Sequence, residues 1–282
     1  MLSSALLLAT GCATAPPLGG DWQALELNVG GRPLAAALRG KATDAPLTVV
    51  IEGDGRAHDR AGRPTSDPTP VRTVGLDIAK AWPGGGVAWM ARRCQYTRRQ
   101  DPACHPEEWT LNRFSVTAVE TADAALDLLK RRAGAEKVVL VGWSGGGVIA
   151  AALATRRTDV AGLVTIAAPL DVAGWVRSEG LSSLNTAREV SELGRRPLSM
   201  PQVHLLGAED DVVPAHTAMS AATTMAGPAG LVDIVHERGH CCWADRTSRI
   251  AADLEAARKD QASARSAAAS AAPARLETPS FW

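Results

Sequence analysis

Residues 137–157 read KVVLVGWSGGGVIAAALATRR. An apolar, β-branched run passes directly into Gly142-Trp143-Ser144-Gly145-Gly146, and a run of small helix-forming residues follows. This is G-x-S-x-G between a strand and a helix, and no other segment constrains the fold as tightly. A serine is lifted clear of so sharp a turn only if bulky side chains are missing around it. A strand buried on both faces must lead in, and a helix must leave. The amides and dipole at that helix start favour negative charge beside Ser144. The segment has neither the G-x-G-x-x-G of a dinucleotide loop nor the G-K-[ST] of a phosphate loop. Ser144 is therefore read as a nucleophile.

The rest of the chain supplies a matching frame. Apolar runs of strand length lie at 47–52, 87–90, 137–141, 162–167, 203–206 and 231–236. Helical patterns at 72–81, 113–132, 146–157, 215–225 and 243–258 alternate with them. Alternation of this kind predicts right-handed crossovers and an α/β architecture, a mostly parallel sheet with helices on both faces. Two earlier runs, 22–28 and 34–38, flank Gly30-Gly31 and predict an antiparallel edge hairpin. The irregular stretch 171–201 is a candidate small cap over the sheet's carboxyl edge.

A serine nucleophile needs a base, and the base needs an orienting carboxylate. In this topology the order along the chain is serine, acid, histidine. Asp210 lies in Gly207-Ala208-Glu209-Asp210-Asp211-Val212-Val213-Pro214, just past one strand, and His240 follows another. Asp211 and Asp171 are the rival acids. His204 lies within a strand and reads as a core or sheet-face residue. His236-Glu237-Arg238-Gly239-His240 matches H-E-x-x-H in form, but a zinc site needs both histidines on one helical face. The preceding LVDIV is strand-like and Gly239 weakens a helix, so no metal is assigned.

With G-W-S-G-G-G, G-A-E-D-D-V-V-P and G-H-C-C-W in this order, residues 40–258 resemble an α/β-hydrolase. The segments I-E-G-D-G-R-A-H, S-D-P-T-P, R-C-Q-Y, C-H-P-E-E-W-T-L-N-R-F-S and H-C-C-W resemble a group of exported bacterial α/β-hydrolases. The resemblance implies the α/β-hydrolase fold and a triad of Ser144, Asp210 and His240. It further implies cleavage of an ester or related acyl bond through an acyl-enzyme, with no cofactor. Peptidase or thioesterase chemistry on the same triad, or a catalytically inactive binding protein, are the alternatives. Many esterases carry His-Gly after the third strand; here Glu52-Gly53 stands there. The oxyanion donors are expected to be the amides of Gly145 and Asp54. A carboxylate beside an oxyanion is unfavourable, so the Asp54 side chain is expected to point away.

The ends have another character. MLSSALLLATGC resembles a bacterial lipoprotein signal in which Cys12 becomes lipidated. Residues 13–20 then form a tether, 21–259 the domain, and 260–282, rich in Ala, Ser, Pro and Arg, a disordered tail. Four other cysteines, Cys94, Cys104, Cys241 and Cys242, allow three pairings. Cys94–Cys104 closes a short polar loop and is preferred; a cross-pairing or free thiols remain open. Such usage suits an exported, periplasm-facing or outer-membrane lipoprotein of a bacterium. Thirty basic and thirty acidic residues cancel, which argues against nucleic-acid binding by bulk charge. The expected partner is a small-molecule or lipid ester substrate, with membrane contact through the N-terminal anchor only. Trp143 and Trp243 are candidates for the pocket or for packing. Arg92, Arg93, Arg98 and Arg99 read as a solvated face able to attract an anionic substrate.

Overall fold

The computed structural model describes residues 15–42 and 45–271, and their side chains apart from residues 229 and 264–271. The expected signal and Cys12 lie outside them. The strands are β1 (Gln23–Val29), β2 (Arg32–Arg39), β3 (Leu47–Ile51), β4 (Val87–Met90), β5 (Val138–Trp143), β6 (Val160–Ile166), β7 (Gln202–Gly207) and β8 (Leu231–Val235). They form one sheet in the order β1-β2-β4-β3-β5-β6-β7-β8. β1 and β2 pair antiparallel, as does β2 with β4, and every later neighbour is parallel.

The helices are α1 (Val74–Ala81), α2 (Pro106–Trp109), α3 (Val116–Ala133), α4 (Gly145–Arg156), α5 (Val172–Ser178), α6 (Arg188–Ser191), α7 (Ala215–Ala226) and α8 (Thr247–Ala271). Strand side chains alternate between two faces. Leu47, Val49, Ile51, Val138 and Leu140 join a core formed with α3, α4 and α7. Val50, Val139, Val141, Val164 and Val203 join another formed with α1 and α8. α4 is buried along Gly145–Ala154, which is why its sequence lacks a polar face.

Two readings change. The C-terminal helix does not stop near 259: residues 260–271 continue α8 and are not a disordered tail. Ala has the highest helix propensity, and an existing helix lengthens without new nucleation. The rest of the expected tail, 272–282, lies outside the described residues. Along the expected tether, Leu18 packs against the α1–α8 core, and Lys80 Nζ donates to the Pro17 carbonyl. In the candidate cap, Val172, Trp175, Val176, Val190 and Leu193 belong to the α3–α4 core. Trp175 Nε1 donates to the Val212 carbonyl at 2.9 Å, which ties this segment to the loop after β7.

Candidate active site

Parallel strands end together, so the loops after β3, β4, β5, β7 and β8 share one edge. Ser144 sits there between β5 and α4 with φ 53° and ψ −128°, a backbone that a serine holds only under strain. A Cβ on Gly142 would stand 2.5 Å from the Gly146 carbonyl carbon, and one on Gly146 would stand 2.5 Å from the Glu52 oxygen. The glycines thus permit the close crossing of β3, β5 and α4 that raises the serine. The Ser144 amide is anchored to Ile166 O at 2.8 Å.

His240 Nε2 lies 2.9 Å from Ser144 Oγ, and its Nδ1 lies 2.9 Å from Asp210 Oδ2. The Asp210 side chain is fully buried, and Oδ1 accepts from the amides of Val212 at 2.9 Å and Val213 at 2.8 Å. These bonds fix the carboxylate in direction. His240 is positioned from its backbone: its carbonyl accepts from Trp143 Nε1 at 2.7 Å and Trp243 Nε1 at 3.2 Å. The Trp143 and His240 rings are 5.1 Å apart, whereas Trp243 is wholly buried. One tryptophan therefore borders the histidine, and the other packs beneath it.

The rival residues have other places. Asp211 is exposed, and Asp171 caps α5 by accepting from the Gly174 amide at 2.8 Å. The H-E-x-x-H segment follows β8 as a turn, with Glu237 at φ 58°, so its histidines do not share a helical face. His204 is buried between Thr165 Oγ1 at 2.7 Å and Gln202 Oε1 at 3.1 Å, and desolvation lowers its pKa to about 4.

The loop after β3 lies against the elbow. Glu52 is completely buried and accepts from the Gly53 amide at 3.1 Å, the Gly75 amide at 2.9 Å, the Leu76 amide at 3.1 Å and Trp89 Nε1 at 3.0 Å. It therefore caps α1, whose own N-cap residue, Thr73, makes no such bond. Burial raises its pKa, and the four donors oppose that rise. Gly53 is used on both sides, since its carbonyl also accepts from Gln95 Nε2 at 2.9 Å. Among the described residues, no protein acceptor takes the amide of Asp54 or of Gly145.

The Asp54 carboxylate does not turn away from the elbow. A Cβ on Gly145 would stand 2.5 Å from its Cγ, and its charge is met by Arg92 Nη1 at 2.9 Å and Arg113 Nη1 at 3.1 Å. Arg92 and Arg93 are accordingly not part of a solvated face: Arg93 pairs with Glu108 at 2.6 Å. A run of arginines in sequence does not reveal acids that the fold brings beside it. A disulfide joins Cys94 to Cys104 in the loop after β4, and Cys241 and Cys242 are free thiols. Sequence reasoning missed the parts played by Glu52, Arg92, Arg113 and Gln95; the one local signal was an acid directly after a buried strand.

No family model and no curated protein sequence matches the chain. Solved structures do match its fold. A puromycin hydrolase aligns at TM-score 0.56 and 20% identity, over 86% of this chain and 38% of that one. The chain thus spans well under half of that protein's length. Est1E from Butyrivibrio proteoclasticus aligns at TM-score 0.56 and 14% identity, over 85% of this chain and 99% of that one. An alpha-beta serine hydrolase homologue from Coxiella burnetii aligns at TM-score 0.55 and 15% identity, over 84% and 96%. The fold is that of the α/β-hydrolases.

Proposed function

We propose that the chain is a serine hydrolase that cleaves an ester or related acyl bond, with Ser144, His240 and Asp210 as its triad. The observation that carries this reading is the continuous relay Ser144 Oγ–His240 Nε2 and His240 Nδ1–Asp210 on a strained elbow at the sheet's carboxyl edge. In the proposed reaction His240 takes the Ser144 proton as Oγ attacks the carbonyl carbon. Asp210 holds the imidazole tautomer and stabilises the imidazolium. The amides of Gly145 and Asp54, at the elbow and in the adjoining loop, receive the oxyanion. His240 then protonates the leaving alcohol, and water, activated by the same histidine, releases the acid.

The neighbouring solved structures include a puromycin hydrolase and a serine hydrolase homologue, which agrees with hydrolysis as the general activity. Replacing Ser144 with Ala is expected to lower p-nitrophenyl ester turnover by about 10⁴-fold or more while leaving the melting temperature in place. A fluorophosphonate probe should label Ser144 in the folded protein. Turnover retained without the hydroxyl would refute the reading.

We further propose that the protein is exported and lipid-anchored at Cys12, the substrate being a small-molecule or lipid ester. The N-terminal pattern and the Cys94–Cys104 disulfide agree with this. Incorporation of labelled palmitate that is lost in Cys12→Ala tests it; incorporation unchanged by that substitution would refute it.

A further inference from the structure

Beyond the serine relay, a charged cluster beside the disulfide-closed loop has hydrogen bonds that do not close. A cavity of about 20 Å³ lies where β2, β3 and β4 meet α2 and α3, and its lining includes Asp54, Arg92, Arg93, Glu108, Trp109 and Arg113. Asp54 pairs with both Arg92 and Arg113, and Glu108 pairs with Arg93. Three guanidiniums therefore face two carboxylates. The Arg93 side chain is 9% exposed and Trp109 is 4% exposed, yet Arg93 Nη2 and Trp109 Nε1 have no acceptor among the described residues. A further cation, Arg98, lies 5.9 Å over the Trp109 ring, and its Nε also lacks an acceptor.

A buried N–H without a partner costs about 1–3 kcal/mol, more when it is charged. The matching ligand offers acceptors only and carries negative charge. The cavity is small, which favours a compact anion over a bulky organic one. We propose that this cavity is a binding site for a single monatomic anion, a halide, held by Arg93 Nη2 and Trp109 Nε1. The anion offsets the unmatched positive charge behind Asp54. This site is separate from the serine relay and stands whether or not Ser144 is a nucleophile.

The test replaces sodium gluconate with sodium bromide at constant ionic strength and follows thermal unfolding. A saturating rise in melting temperature, about 4 °C at ten times the dissociation constant, is expected. It should be absent in Arg93→Gln and in Trp109→Phe, which keeps an aromatic ring but removes the donor. Crystals soaked in bromide should show an anomalous peak between Arg93 Nη2 and Trp109 Nε1, and this decides the matter on the unaltered chain if either variant fails to fold. Density in the cavity without anomalous signal, meaning a water, would overturn the proposal. So would a salt effect that fails to saturate and is shared by both variants.

Discussion

Among the described residues the Glu52 carboxylate pairs with no cation, and four N–H groups converge on it. Both oxygens must accept. In Glu52→Gln the amide group would face two donors, so a loss of about 2–3 kcal/mol is expected in denaturant unfolding. His204 gives a pH dependence of known sign. Its folded pKa is lowered to about 4 from 6.5, so the unfolded chain binds a proton that the folded chain refuses. Its contribution is complete above pH 6.5 and is lost as pH falls toward 4, on the order of 3 kcal/mol. Glu52, raised by burial, acts in the opposite sense, with stability lost as pH rises. Comparing unfolding midpoints of the unaltered chain and His204→Gln between pH 4 and 7 isolates the histidine; equal slopes would contradict its assignment. At the elbow, a Gly145→Ala methyl would press on the Asp54 carboxylate. Under the proposed mechanism, a fall of about 10²-fold in the kcat of ester turnover, with KM little changed, is expected from displacement of the Gly145 amide.

At the scale of elements, the apolar runs located the strands to within a few residues; the central β3, β4 and β5 are covered on both faces and so are almost wholly apolar, whereas the outer β1 and β8 are partly exposed. α8 is the instructive departure. Its docking rests on a few residues, Ile250, Leu254 and Ala257, and its continuation needs only helix propensity. Leu254 sits so close over Gly162 that a Cβ there would stand 3.2 Å from its methyls. Leu254→Ala is therefore expected to cost about 2–4 kcal/mol. Shortening the chain after residue 263 should move the melting temperature little, since the docked turns remain. The cap segment was legible only as irregular, and its two short helices owe their position to contacts with α4 and α7 that leave no local period.

Across the whole molecule, the loop closed by Cys94–Cys104 carries Gln95 against Gly53 and follows Arg92, which holds Asp54. Replacing both cysteines with serine frees about ten residues in the unfolded chain and should cost about 3 kcal/mol. Under the proposed mechanism, ester turnover should also fall, because the loop that presents the Asp54 amide loses its outer support. Thermal unfolding and kcat on the same preparation check both effects.

The elbow, the order of serine, acid and histidine, and the alternating frame could be read along the chain, because each depends on residues a few positions apart or on their order. The pairing of Asp54 with Arg92 and Arg113 and the capping of α1 by Glu52 could not. They join residues that are distant in sequence or equivalent in type, and they exist only once parallel strands bring their carboxyl ends to one edge. Burial then makes each unmatched charge or donor costly enough to select its partner.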